Sequence, residues 1–301
     1  MKLKIFNATG TATGETDLPS QFSEPVREDL IKKAVLAIQN NNRQAYGPYK
    51  EAGQRHAVRI SKRRRDYKGC YGKGISRVPR KVLSHRGSQF FWVGANAPGT
   101  VGGRRAHPPK AETMWKWKLN TKEKRKAIRS AISAVMIKER VIQRGHLVPQ
   151  NYPFIVHDDL EKINKTKQLL DALQKLGFED ELNRTNKART RAGKGKLRGR
   201  RKITRKSLLL VVSNIAEINK AASNIPGVDV INVKKLNAEA LAPGGHLGRA
   251  TLFTTKALDE LKNGLFTNNR IVNVEAKEIK EIKKEKKETK KNLMAASAKQ
   301  A

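Results

Sequence analysis

Gly94 and Gly99, in the run GANAPGTV at 94–101, have the spacing of a loop that folds its backbone N–H groups around a nucleotide phosphate. Such a loop needs a lysine after its second glycine to reach the outer phosphates, and Thr100 stands there instead. No clear strand leads into the run and no helix pattern follows it, and GCYGKG at 69–74 fails on the same grounds. Nucleophilic chemistry fares no better. There is no GxSxG elbow, and the single cysteine, Cys70, sits in a basic loop sequence with nothing to mark a catalytic dyad. Asp158 and Asp159 are paired carboxylates, but they fall where a strand hands over to a helix, a place where negative charge is stabilising without catalysis. The six histidines (56, 85, 107, 146, 157, 246) show neither HExxH nor HxxxH spacing. One cysteine allows no intrachain disulfide and no Cys-based zinc site. The expectation is a non-enzyme with no metal, no cofactor and no small-molecule substrate.

The side chains that do recur in a useful pattern are cations. In SKRRRDYKGCYGKGISRVPRK (61–81), Lys62, Arg63, Arg64, Arg65, Lys68, Lys73, Arg77, Arg80 and Lys81 alternate with glycines and with Tyr67 and Tyr71. Arg55 and Arg59 precede them, and Arg86, Arg104, Arg105, His107 and Lys110 follow, with Trp92 between. A second run, 184–206, holds twelve basic residues and no acid in 23, among them Arg189, Arg191, Lys194, Lys196, Arg198, Arg200, Arg201, Lys202 and Arg205. Guanidinium and ammonium groups neutralise phosphates and release their counterions. Glycines let a backbone approach RNA closely, and Tyr67, Tyr71 and Trp92 offer faces on which unpaired bases stack. The whole chain agrees: 64 Lys and Arg against 27 Asp and Glu give +37 over 301 residues. A free chain of that charge binds polyanions, and a nucleic-acid partner is predicted.

The elements that must hold these cations read as α/β. Residues 2–6 form a short strand before a Thr/Gly-rich turn. An amphipathic helix is predicted over 24–39, with Val26, Leu30, Ala34, Val35 and Ile38 on one face and Ser23 as its cap. A second helix is predicted over about 121–143, with Ile128, Ala131, Ile132, Val135 and Ile142 inward and Gly145 ending it. Between them, from 45 to 110, periodicity vanishes: sixteen Lys and Arg face two acids among ten glycines. A loop that long inside a compact domain is far outside the usual range. It cannot offset its own ordering entropy, so a polyanionic partner is expected to order it. Within it APGTVGGRRAHPPK (97–110), with three glycines and three prolines, reads as neither helix nor strand. Trp115 and Trp117 flank Lys116, which suggests one buried ring and one facing RNA. Beyond 153 the pattern alternates: a strand at 154–156, a helix at 165–176 with Leu169, Leu170, Leu173 and Leu176 inward, and the basic run. A strand at 208–212, apolar throughout and so buried on both faces, comes next. A helix near 215–222, strands at 228–233 and 251–254, and a helix at 256–262 complete it. The prediction is a three-layer α/β fold, its mainly parallel sheet flanked by helices, with a long extended internal loop. The globular part is expected to span 1–44 and 111–265, the loop 45–110, and a Lys/Glu-rich tail 266–301. No run approaches the roughly 20 apolar residues of a membrane span, and the start lacks a signal-peptide core, so an intracellular protein without a membrane partner is expected.

Three stretches carry a resemblance. LNAEALAPGGHLGRATLFTTKALDEL (236–261), RAGKGKLRGRRKITRK (191–206), and YGKGISRVPRK followed by GGRRAHPPK and the Trp115/Trp117 pair closely resemble the family of the fourth large-subunit ribosomal protein, in its archaeal and eukaryotic branch. The resemblance covers roughly residues 1–265. It implies a structural component of the large ribosomal subunit in the cytoplasm, bound to large-subunit ribosomal RNA and neighbouring large-subunit proteins. The family's globular α/β domain lies on the subunit's outer surface, while its long loop threads inward to the nascent-peptide exit tunnel. Carried over by motif, Gly72, Lys73, Gly74, Arg77 and Arg80 belong to the inner loop, and Gly102, Gly103, Arg104, Arg105 and His107 to its returning limb. Tyr71 replaces the family's usual Trp, and Lys73 its usual Thr. The segment 82–101 replaces a more glycine-rich tip, which makes Arg86, Phe90, Phe91 and Trp92 the candidates to face the tunnel and the nascent peptide. Some members of the family also repress their own operon by binding its messenger RNA, an alternative that the same basic surfaces would serve.

Overall fold

The computed structural model describes residues 2–215 and 217–267. The predicted Lys/Glu tail lies, apart from residues 266–267, outside the described residues. Among the described residues, ten strands and eight α-helices follow one another. They are β1 (Lys2–Phe6), β2 (Ala12–Asp17), α1 (Glu28–Asn41), β3 (Arg80–Arg86), β4 (Gln89–Gly94), α2 (Thr121–Met136) and α3 (Lys138–Gln143). Next come β5 (Ile155–Val156), α4 (Thr166–Lys175), α5 (Glu179–Asn186), β6 (Arg189–Thr190), β7 (Lys202–Ile203) and β8 (Leu209–Val212). Last are α6 (Ile218–Ala222), β9 (Asp229–Asn232), α7 (Ala238–Leu241), β10 (Thr251–Thr254) and α8 (Thr255–Lys262). The described residues fall into two compact units, one of 2–39 with 117–267 and one of 40–116.

The first unit is built on a six-stranded sheet in the order β2-β1-β5-β10-β8-β9. Every pairing is parallel except β1 with β2. Helices cover both faces, because each apolar strand must bury side chains on both sides. Leu3, Ile155, Leu209, Val211 and Phe253 point into a core shared with α1, α2, α7 and α8. Val156, Leu210, Val212 and Leu252 point into a second core with α4 and α6. The three-layer α/β fold is thus present, with Leu208–Val212 buried throughout, as continuous apolar sequence in a central strand requires.

Several elements differ from expectation. β2 (ATGETD) is an edge strand, exposed except at half-buried Thr16, so no apolar alternation marks it. Ser23 closes a short 3-10 turn, Ser20–Ser23, and α1 starts at Glu28. The long helix breaks at Ile137, whose φ −87° and ψ 101° are extended. That one residue resets the helical phase, so Val141 turns inward in α3 and Ile142 is left exposed. The paired aspartates do not serve the turn that follows β5 alone. Asp158 Oδ1 accepts from Thr255 Oγ1 at 2.5 Å and from the Lys256 backbone N–H at 2.8 Å, which helps cap α8 from the 3-10 turn Asp158–Lys162. Replacing Asp158 with alanine is expected to lower stability by about 1 kcal/mol, read as a lower urea midpoint at unchanged slope.

Candidate nucleic-acid interface

The unit of residues 40–116 contains regular structure where sequence periodicity was absent. β3 and β4 form an antiparallel hairpin joined by Gly87 and Ser88, with Arg86 paired to Gln89. Gly87, at φ +55°, takes the first turn position, where a type II′ turn demands positive φ. Dense charge around the hairpin hid its strand pattern. One side of β4 carries Phe90 and Trp92, their centroids 5.4 Å apart, and Tyr67 meets Phe90 edge-on at 5.3 Å. The other side carries Phe91, 55% exposed, and Val93. Cys70 and Ala95 are buried, which makes Cys70 a packing residue. At the base, Tyr46 stacks on Trp115 with centroids 5.0 Å apart, and the Arg43 guanidinium lies 4.9 Å from the Trp115 ring centre.

The predicted cations stand on the surface of this scaffold. Arg55, Arg59, Lys62, Arg63, Arg64, Arg65, Lys73, Arg77, Arg86, Arg104, Arg105, His107 and Lys110 are exposed. Lys68, Arg80 and Lys81 are half-buried, as are Tyr71 and Trp92. Cations and rings are interleaved in space as well as in sequence. Arg77 lies 4.5 Å from the Tyr71 ring centre, and Lys73 and Arg80 each lie 5.9 Å from that of Trp92. Such pairing keeps the charge exposed while fixing the side chain. Among the acids of this unit, Asp66 accepts from Ser61 Oγ and the Tyr67 N–H, bonds that hold its carboxyl below the usual range. Glu112 pairs with Lys50 at 3.1 Å.

The second basic run lies in the other unit. α5 gives way to β6, a 3-10 turn Gly193–Arg198, and β7, with Arg189 paired to Ile203 and Thr190 to Lys202. Arg191 is half-buried, donating from Nε to the Arg200 carbonyl at 2.9 Å. Arg189, Lys194, Lys196, Arg198, Arg200, Arg201, Lys202 and Arg205 are exposed along a short arm.

What fixes that arm escaped the sequence reading. Glu181, 0% exposed, accepts from Arg184 Nη2 at 2.6 Å, His146 Nδ1 at 2.7 Å, the Leu147 N–H at 3.0 Å and Ser207 Oγ at 3.0 Å. Facing an ionised carboxylate, His146 Nδ1 carries the proton. Burial opposes the charge of Glu181, but Arg184, His146 and the Leu147 N–H more than offset it and hold its carboxyl down to about 2. Arg249, 1% exposed, donates to the carbonyls of Ser207 at 2.8 Å, Leu208 at 3.2 Å and Gly227 at 3.3 Å, and to Asp229 at 2.6 Å. Arg184 also donates to the Lys206 carbonyl at 3.0 Å. The arm therefore leaves α5 and enters the sheet at β8 through residues pinned by buried ion pairs. The one available signal was Arg249 in PGGHLGR, a basic residue directly before an apolar strand.

The arrangement can hold phosphates and stack bases. It offers no nucleophile beside a base, and among the described residues no cluster of His, Cys, Asp and Glu is able to hold a metal. Comparison with known proteins gives the same direction. The chain matches the model of the "Ribosomal protein L4/L1 family" over residues 16–264. The large ribosomal subunit protein uL4 of Nanoarchaeum equitans is 46% identical over 263 residues, covering 87% of this chain and 98% of that protein. Those of Archaeoglobus fulgidus and Pyrobaculum aerophilum are each 42% identical, over 87% and 88% of this chain and 98% and 90% of theirs. The family is one of ribosomal structural proteins, not enzymes. Its match spans the four sheet strands β5, β8, β9 and β10, the basic hairpin unit and the pinned arm, and the chain belongs to the ribosomal protein L4/L1 family.

Proposed function

We propose that this chain is a structural constituent of the large ribosomal subunit that binds large-subunit ribosomal RNA, supports assembly and lines part of the nascent-peptide exit tunnel. The observation that carries the reading is the display of exposed cations on two braced scaffolds, the residue 40–116 unit and the β6–β7 arm. Phosphate neutralisation supplies most of the affinity, and rings and glycines set the fit to unpaired regions. In the unit of residues 40–116, the hairpin tip is the part that reaches the tunnel. Arg86 and Phe91 are its exposed candidates for meeting the nascent peptide, while Phe90 and Trp92 pack beneath them. Neighbouring large-subunit proteins are the expected protein contacts.

The reading is tested by washing large subunits with increasing salt and following the chain by sedimentation. A threaded basic segment is expected to stay on the subunit at salt that strips superficial binders, although each phosphate contact is weakened. Release together with the most loosely held basic proteins would count against threading.

A further inference from the structure

The unit of residues 40–116 contains a cleft of about 290 Å³ that none of the phosphate contacts above requires. It lies between two limbs of chain, with Pro48, Tyr49 and Gln54 on one limb and Arg104, Pro108 and Pro109 on the other. Close backbone crossings brace both ends. A Cβ on Gly47 would collide with the backbone of Ala111, and one on Gly53 would lie 2.6 Å from the backbone N and Cα of Arg104. The Lys50–Glu112 ion pair ties the limbs together beside the first crossing. The cleft is thus held open by its frame.

We propose that this cleft receives a single unpaired nucleobase of RNA, stacked on Tyr49 and clasped by the prolines. The inference rests on the RNA-binding reading above and assigns it a ligand subsite. Three features select a base over other occupants. The walls are rings: the Tyr49 phenol and three pyrrolidines, flat or rigid surfaces that lose little entropy on stacking. The Arg55 guanidinium lies 4.6 Å from the Tyr49 ring centre without itself lining the cleft, so it fixes the ring from outside. The rim carries Arg104 and Arg105, placed for the phosphates on either side of an inserted base, and Gln54 can donate to and accept from a base edge. A basic rim of this kind disfavours the basic side chains of other RNA-binding proteins. The volume sits at the small end of ligand pockets, which run from about 300 to 1,000 Å³, and suits one ring system.

The test uses the full chain with Tyr49→Ala and Tyr49→Phe. Each is titrated over a range of salt against a large-subunit ribosomal RNA transcript and a 12-nucleotide single-stranded RNA with a central 2-aminopurine. Tyr49→Ala is expected to weaken binding by about tenfold, the loss of one stacked base, without changing the slope of log affinity against log salt. Tyr49→Phe, which keeps the ring, should bind like the parent and quench 2-aminopurine equally. Arg104→Ala with Arg105→Ala should flatten the slope instead, by about 0.7 per lost single-strand contact. If Tyr49→Ala binds as tightly as a salt-sensitive parent, the base pocket is wrong and the wider RNA reading stands. If Tyr49→Ala and Tyr49→Phe weaken equally, ring stacking is wrong. A parent chain with no salt-dependent binding removes the RNA reading and the pocket with it.

Discussion

Deletion of residues 61–105 is expected to leave a folded α/β unit that assembles into large subunits poorly or yields defective ones. All six strands of the main sheet and both of its cores lie outside the deleted segment. The Tyr46–Trp115 stack remains to close the base of the shortened unit. Circular dichroism and the unfolding transition should therefore remain close to those of the full chain. What is lost is twelve cations, the β3–β4 hairpin and the aromatic cluster around Phe90. Against duplex RNA or DNA, each phosphate contact contributes close to one unit of salt dependence, so their removal collapses the electrostatic part of binding. Sucrose-gradient profiles of cells whose only copy carries the deletion should show depleted or abnormal large subunits. Normal subunits at normal abundance would overturn the role given to this unit.

Replacing Glu181 with glutamine is expected to destabilise the chain by about 3 kcal/mol near neutral pH, among the larger effects a single substitution can have. The variant keeps the shape but leaves the Arg184 guanidinium without its buried counter-charge and replaces the carboxylate that His146 faces with a neutral amide. The pH dependence distinguishes this from loss of packing. The carboxyl is held down at about 2, below its ordinary 4.5, so its contribution is complete above pH 4.5 and is lost as pH falls toward 2. Urea midpoints of the parent should therefore fall faster than those of Glu181→Gln across that window, and the two should converge near its acid end. Parallel curves would mean that the carboxylate charge contributes nothing. The arm should also loosen, since Arg184 and Ser207 flank its two ends.

Much of the fold was legible because burial writes itself into local pattern. Lys2–Phe6 and Thr251–Thr254 were readable as strands, and α4 and α8 from leucines recurring every three or four residues. Leu208–Val212 declared its central place by having no polar face at all. The hairpin Arg80–Gly94 was missed for the opposite reason. β3 (RKVLSHR) is cationic and mostly exposed, and the short apolar run of β4 (QFFWVG) only half-buries Phe90 and Trp92 in a small local cluster, so neither strand shows a clear buried face. Ile142 was misplaced because a single extended residue, Ile137, breaks a periodicity that a sequence can only continue. The basic candidates were visible as composition. Their supports were not: Glu181 meets His146 across 35 positions, and Arg249 meets Ser207 across 42. Nothing in one dimension brings such partners together.

The strand order also dictates a timetable for synthesis. β10, at residues 251–254, sits in the middle of the sheet, hydrogen-bonded to β5 on one side and β8 on the other. Until those four residues are made, the growing chain can pair only β2-β1-β5 and β8-β9, two fragments that present open edges to each other. Both basic segments have by then been synthesised, and they are available to any nucleic acid in reach. The last strand thus acts as a keystone, and a chain that stalls before residue 251 is a pair of unclosed half-sheets rather than a shortened version of the native one.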